Sequence, residues 1–311
     1  AGASPAWRAA LPTRPTRALR ADVIILGQPK GGTTFLWNCL ASPALCHLEP
    51  RVARAPGLEK EWWLYFDDYW RKWEEGRPAK MRDALRGVGA DDLLVDGTPD
   101  YLQNSGAMRA VKEHAPDAKF IVMLREPLAR AFSNWNMFVS WGWEQEDNFT
   151  AAVQREHGRY AACLAGGREP FECLDRWGWQ KYYQGSVPHL HVRRWIQEFP
   201  DNPFLLVNAS ALPWVAGADL VAELAAFLRL EDAGGAPGPP GTCEYSRERP
   251  TNSYADHARG VGHTEQEVLN RTSPGELRYL QALFEEPARE LEGLLREAWR
   301  PGVRVFPPPE L

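Results

Sequence analysis

The stretch Ala21–Leu40, "ADVIILGQPKGGTTFLWNCL", restricts the fold more than any other part of the 311-residue chain. The β-branched apolar run Asp22–Leu26 predicts a buried strand, and Thr33–Leu40 predicts a helix that ends before Ser42-Pro43. Between them, Gly27, Gly31 and Gly32 let the backbone turn tightly, so that its N–H groups converge where the helix dipole is positive. A unit of this kind holds an anion. Its order is Gly27-Gln-Pro-Lys30-Gly-Gly32-Thr-Thr, whereas the nucleotide-triphosphate loop G-x-x-x-x-G-K-[ST] has lysine directly after the last glycine. The dinucleotide fingerprint G-x-G-x-x-G does not fit either.

Further strands are predicted at Leu93–Val95, Lys119–Leu124 ("KFIVML") and Phe204–Val207. Helix-forming segments alternate with them: "REPLARAFSNWNMF" after Leu124, the amphipathic Asp219–Leu230, and a long closing helix over Leu277–Trp299 with a kink or break at Pro287. "KEWWLYFDDYWRKW" (Lys60–Trp73) is aromatic throughout and reads as helix beyond Tyr65. Strands alternating with helices predict an α/β fold of three layers, P-loop-like, with a central parallel sheet flanked by helices. Residues 1–20, rich in Ala, Pro and Arg and without acids, read as a flexible stem or tail, and 21–311 as one catalytic domain.

The net charge of −5 means that any anionic partner must meet a local basic patch, and it gives no reason to expect nucleic acid. Only seven basic residues are lysines, which singles out Lys30 and Lys60. Five cysteines are too few for a disulfide scaffold, and no Cys/His cluster has zinc spacing, so no metal is expected. Cys163 and Cys173 bracket "LAGGREPFE", a loop that one bridge could close. With the sequons at Asn148, Asn208 and Asn270, this pair leans toward a secretory lumen. No apolar run is long enough to span a membrane, so the expected membrane link is an anchor N-terminal to this sequence.

A second segment narrows the anion's identity. "VMLREPLARAFSNWNMF" places Arg125 directly after a strand, at the usual ligand edge of an open α/β sheet, and Ser133 about two helical turns later. A guanidinium and a hydroxyl so placed can grip a second, separate phosphate. "GQPKGGTT" together with "LREPLARAFSNW" resembles the two cofactor-binding segments of sulfotransferases that use 3′-phosphoadenosine 5′-phosphosulfate (PAPS). The "PKGGTT" form is most similar to the Golgi carbohydrate branch. "LEKEWWLYF", "DGTPDYL", "YYQGSVPHLHVRRWIQEFPDNPFLLVNASAL" and "TSPGELRYLQALFEEPARELEGLL" resemble further segments of that branch, so the likeness runs from Asp22 to Trp299. The third of these resembles the stretch in which a helix leads to the last core strand. The "KEWW" form is similar to N-acetylgalactosamine 4-sulfate 6-O-sulfotransferases.

The resemblance implies PAPS as donor, adenosine 3′,5′-bisphosphate (PAP) as product, and a carbohydrate hydroxyl as acceptor. It implies that Lys30, Gly31, Gly32, Thr33 and Thr34 hold the 5′-phosphosulfate, with Lys30 opposing charge on the leaving phosphate. Arg125 and Ser133 would hold the 3′-phosphate. Glu61, shaded by Trp62, Trp63 and Tyr65, is the expected general base, with His47 and His189 as rivals. Arg249, in "SRERP", matches a Gly-Arg-Pro loop that closes the cofactor site in heparan sulfate sulfotransferases, although Glu248 replaces the glycine. A further departure is Asp96-Gly97-Thr98, where some relatives have Glu-Lys-Ser. Expected acceptor contacts are Lys60, Asp100, Tyr101, Trp135, His189, His191, Arg193 and Arg194, since sugars stack on aromatic rings and acidic sugars need arginines. The implied location is the Golgi lumen or secretory pathway, as the catalytic part of a type II membrane protein. The alternatives are a cytoplasmic enzyme acting on a small hydroxylated metabolite, a P-loop NTPase or kinase, and a binding module without catalysis.

Overall fold

The computed structural model describes residues 20–40, 60, 61, 65, 93–175, 181–210, 215, 216, 218–228, 243, 244, 265–297 and 300–308. The apolar run after Asp22 forms strand β1 (Val23–Gly27), and the turn that follows leads into helix α1 (Thr33–Leu40). Strand β2 is short (Val95–Asp96) and runs into a 3₁₀ turn, Pro99–Gln103. Helix α2 (Ser105–His114) is capped by Asn104, whose side chain accepts from the Ala107 N–H. Strand β3 (Lys119–Leu124) then feeds helix α3 (Pro127–Ser140), where the Glu126 carboxylate accepts from the Leu128 and Ala129 N–H groups.

Helices α4 (Phe149–Ala165) and α5 (Pro170–Asp175) are linked by a Cys163–Cys173 disulfide, as the bracketed loop suggested. Asn148 of the first sequon is the α4 cap, and its amide also donates to Glu276. Helix α6 (Pro188–Glu198) leads to strand β4 (Phe204–Asn208). Next come β5 (Val215–Ala216), α7 (Ala218–Leu228), β6 (Cys243–Glu244) and α8 (Glu265–Arg271). Helix α9 (Pro274–Arg296) opens with a reciprocal Ser273–Glu276 capping box and continues through Pro287, so the break expected there does not occur. Strand β7 (Val303–Phe306) is the last element of the described residues.

Five strands form one parallel sheet in the order β2-β1-β3-β4-β7, while β5 and β6 pair separately as an antiparallel ribbon. The three-layer expectation is met. Alternate strand residues bury against opposite helical layers, which is why the strands are continuous apolar runs. Ile24, Leu26, Phe120, Val122, Phe204 and Leu206 face α2, α6 and the end of α9. Val23, Ile25, Ile121, Met123, Leu205 and Val207 face α1 and α7. The sequence reading stops one strand short. β4 is not the last core strand, because Val303–Phe306 pairs along it; the edge position leaves this strand only partly buried and mutes its apolar signal.

The chain leaves β1 for β2 on one side and then crosses to β3 on the other. The crevice at the C-terminal ends of β1 and β3 is therefore the switch point where open α/β sheets bind ligands. Trp195 anchors the layer beneath it: the ring lies against Phe120 and Phe199, and its Nε1 donates to the Leu102 carbonyl at 3.0 Å. Trp195→Ala should lower unfolding free energy by about 3–5 kcal/mol through the cavity it leaves. Urea denaturation followed by far-UV circular dichroism measures this, and a loss below about 1 kcal/mol would contradict the packing.

Candidate active site

The loop after β1 is held by close backbone approaches that exclude side chains. A Cβ at Gly27 would collide with the Pro99 carbonyl, and one at Gly31 would lie 2.6 Å from the Met123 carbonyl oxygen. Gln28 N–H donates to that same Met123 oxygen at 2.9 Å, so the turn grows directly out of the β1–β3 pairing. Gly27 and Gly32 have φ of 143° and 98°, conformations that glycine adopts readily. Lys30, with a Cβ, also has positive φ (67°), the kind of backbone strain found at ligand sites. The Gln28 side chain is fully buried and its Nε2 has no hydrogen-bond partner.

Four cations converge on this loop. Burial, then Arg125, Arg130 and Lys60 in that order, push the Lys30 ammonium down to about 8. The Arg125 guanidinium donates to the Lys30 carbonyl at 3.4 Å, and its backbone N–H donates to Gln28 Oε1. Lys60 Nζ lies 3.2 Å from Thr33 Oγ1, 3.1 Å from Thr34 Oγ1 and 2.8 Å from Glu61 Oε1. Like charges gathered around a glycine turn are mutually unfavourable unless an anion enters among them. The cradle, its left-handed backbone and its cations fit a phosphate or phosphosulfate.

Arg130 was not singled out by the sequence. It is 1% exposed, and its Nε donates to the Pro29 carbonyl at 3.0 Å, buttressing the loop from behind. Its Nη1 donates to the carbonyls of Lys181 and Tyr182 and to Ser186 Oγ. Gly185 lacks a side chain where a Cβ would meet this guanidinium. Buried Glu156, raised by burial to about 7, accepts from the Tyr183 and Gln184 N–H groups and fixes the same segment. The available signal was spacing: Arg130 lies five residues after Arg125, but a basic residue on an amphipathic helix ordinarily faces water.

Asp96 organises the opposite wall. Fully buried, it accepts from the Thr98 N–H, the Thr98 hydroxyl and the Tyr101 hydroxyl. This turn sets Gly97 against Lys60 and places half-buried Asp100 in the field of Glu61. Burial first, then the Glu61 carboxylate, raise Asp100 to about 6. Lys181 is lowered by burial, and its Nζ reaches the Gln103 carbonyl at 3.5 Å. Glu61, about one-third exposed, is thus the solvent-reachable carboxylate beside the anion loop.

Of the expected residues, Lys30, Gly31, Gly32, Thr33, Thr34, Lys60 and Glu61 come together at the loop, and Arg125 joins them. Ser133 is buried on α3, the helix that Arg125 precedes. Several expected acceptor contacts have partners within the fold. Trp135 is fully buried between Phe132 and Phe149 and donates to the Glu146 carbonyl, so no sugar can stack on it. Tyr101 is equally buried, spent on Asp96 and on the Tyr65 N–H. Arg193 pairs with Glu290 and Glu297, tying α6 to α9. Arg194 pairs with Asp175 and lies over Phe171. His189 and His191 are buried on α6 and pushed down by that burial to about 4, so neither ring is poised as a base at neutral pH. Tyr65 points into the core rather than over Glu61. His47, Trp62, Trp63 and Arg249 lie outside the described residues.

Residues 20–208 match the family described as "Sulfotransferase domain". The chain belongs to this family. The chain is 28% identical over 202 residues to human heparan sulfate glucosamine 3-O-sulfotransferase 6, covering 65% of this chain and 50% of that protein. It is 26% identical over 191 residues to human heparan sulfate glucosamine 3-O-sulfotransferase 3B1, covering 61% of this chain and 42% of the relative. Membrane-associated sulfotransferase kil1 of Dictyostelium discoideum is 29% identical over 120 residues, covering 39% of this chain and 23% of that protein. The chain therefore spans half or less of the length of these curated relatives. A sulfotransferase crystal structure from Alicyclobacillus acidocaldarius shares the fold, with a TM-score of 0.54 at 20% identity, over 91% of this chain and 98% of the other.

These matches set aside the P-loop NTPase alternative, as the lysine's placement suggested. Among the described residues, no group of three or more His, Cys, Asp or Glu could hold a metal ion, and no helix is long and apolar enough to cross a membrane. Burial and the neighbouring cations push Lys30 down to about 8, so an anion that meets its protonated form should lose affinity as pH rises beyond that value. PAP affinity, measured calorimetrically from about pH 7 to about pH 10, should fall up to tenfold per pH unit above about 8. A flat profile would remove Lys30 from the anion contact.

Proposed function

We propose that this sulfotransferase moves the sulfuryl group of PAPS to a hydroxyl of a glycan, with Glu61 as general base. One observation carries the reading: a carboxylate, Glu61, is joined through Lys60 to the hydroxyls of the glycine-turn cradle that holds Lys30 at the sheet's switch point. In-line transfer needs a base on the acceptor side and positive charge on the leaving side, and this arrangement supplies both. When bound, PAPS supplies an activated sulfuryl group on a phosphate leaving group.

Each residue then has a defined task. The N–H groups of Gly31–Thr34 and the Lys30 ammonium meet the 5′-phosphosulfate, and Lys30 opposes the charge that builds on the bridging oxygen. Arg125 and Ser133 hold the 3′-phosphate, and this second grip selects a bisphosphorylated nucleotide over ATP. Arg249 is proposed as a further cofactor contact from the far end of the chain. Glu61 takes the acceptor's hydroxyl proton. Asp100 and Lys181, polar groups on the Glu61 side, are the proposed acceptor contacts in place of Trp135, Tyr101, His189 and Arg193. No step calls on a metal ion.

The glycan assignment is supported by relatives named for heparan sulfate, at 26–28% identity. A secretory location is supported by the Cys163–Cys173 bridge, since disulfides persist in oxidising compartments, and by the membrane-associated relative. An N-terminal anchor would complete that picture.

PAP should raise the melting temperature well beyond the shift given by ATP at equal concentration, and equal shifts would defeat the assignment. Lys30→Ala should abolish transfer of labelled sulfate to a heparan sulfate and chondroitin sulfate panel. Glu61→Gln should lower kcat about 100-fold or more while leaving PAP affinity nearly unchanged. Wild-type turnover in that variant would exclude Glu61 as the base.

A further inference from the structure

Lys60 joins the anion cradle to Glu61, and the proposed reaction gives it no contact with the transferred group. Its side chain is only 16% exposed, and each of its three N–H donors has an acceptor: Thr33 Oγ1, Thr34 Oγ1 and Glu61 Oε1. The first two belong to the anion cradle and the third to the base, so one ammonium bridges the two halves of the site. Hydroxyls that accept from Lys60 must direct their own protons elsewhere.

The lysine stem is placed by a glycine. Gly97 N–H donates to the Lys60 carbonyl at 2.7 Å, holding residue 60 against the end of β2. A Cβ on Gly97 would lie 3.0 Å from Lys60 Cγ, 3.1 Å from its carbonyl oxygen and 3.4 Å from Cε. Gly97 does not have a positive φ, so its lack of a side chain is needed for the room it leaves, not for backbone freedom.

We infer that Lys60 is the cation that contacts the transferring sulfuryl group, held in place by Gly97. This rests on the PAPS reading above. Lys60 Nζ exchanges a threonine hydroxyl for a sulfuryl oxygen when the cradle fills, and keeps its bond to Glu61. As the acceptor oxygen–sulfur bond forms, Glu61 receives the acceptor's proton. As the bond from sulfur to the bridging oxygen breaks, its electron pair stays on the 5′-phosphate, opposite Lys30. Lys60 meets the sulfuryl oxygens throughout, so its charge is felt most between those two events.

The test compares wild type, Lys60→Met, Lys60→Arg, Gly97→Ala and the Lys60→Met/Gly97→Ala double variant. PAP and PAPS affinities are measured for each, together with kcat on heparan sulfate chains and PAPS breakdown in water. Lys60→Met should lower kcat about 100-fold and weaken PAPS about tenfold, while PAP, which lacks the sulfuryl group, changes less than about threefold. Lys60→Arg should recover part of the rate. Gly97→Ala should reproduce the PAPS-specific loss, and in the Lys60→Met background it should add nothing further. Equal weakening of PAP and PAPS, or a Lys60→Met rate and PAPS affinity near wild type, would overturn the role of Lys60 alone. A wild-type protein that neither binds PAP preferentially over ATP nor consumes PAPS would overturn the sulfotransferase reading beneath it.

Discussion

The contact between the turn at Gly27–Thr33 and the ends of its neighbours governs the rest of the site. The Gln28 N–H and the space beside Gly31 both meet the Met123 carbonyl at the end of β3, and Gly27 lies against Pro99 in the 3₁₀ turn that follows β2. Three segments distant in sequence are therefore locked within backbone distance of one another. A methyl group at Gly27 or Gly31 would drive them apart, since backbone carbonyls cannot rotate out of the way as side chains can. Arg130 completes the lock from the other side through the Pro29 carbonyl.

From that geometry follows the electrostatics. Backbone placed this tightly brings Lys30, Lys60, Arg125 and Arg130 around one small volume, and burial first, then their repulsion, lowers the ionisation of Lys30. The fold's burial energy holds cations together in an arrangement that water alone would disperse. An anion among these cations offsets their repulsion, and the fold supplies that arrangement as preorganisation. The same reasoning explains Asp100, a carboxylate raised by burial and by Glu61 and hence able to exchange a proton close to neutral pH. Acidic and basic walls face each other across the site, and Lys60 touches both.

Much of the site was readable because it is local. Gly27 to Thr34 is one continuous segment, and a strand, glycines and a helix start carry their own geometry. Arg125 and Ser133 are likewise set by one strand–helix junction. Acceptor residues were read poorly for the opposite reason. An aromatic or arginine on a helix looks alike in sequence whether it faces ligand or core: Trp135 closes a cluster with Phe149, and Arg193 spans to Glu290 across 97 residues. Arg130 erred in the other direction, a guanidinium that packing buried. Strand β7 escaped because a half-covered edge strand lacks the full apolar run of β1 or β3.

By itself the sequence determined the alternation of strand and helix, the glycine turn after β1, the Arg125–Ser133 strand–helix junction and the Lys60-Glu61 pair, because each depends on residues a few positions apart. Tertiary structure alone decided which neighbours those elements have: the β2-β1-β3-β4-β7 order, the meeting of Lys60 with Thr33 and Thr34, the fit of Gly97 against the Lys60 stem, and the burial of Trp135 and Tyr101. Local chemistry follows from covalent order and backbone dihedrals. Packing across the sheet depends on summed burial over the whole chain, which no short segment encodes.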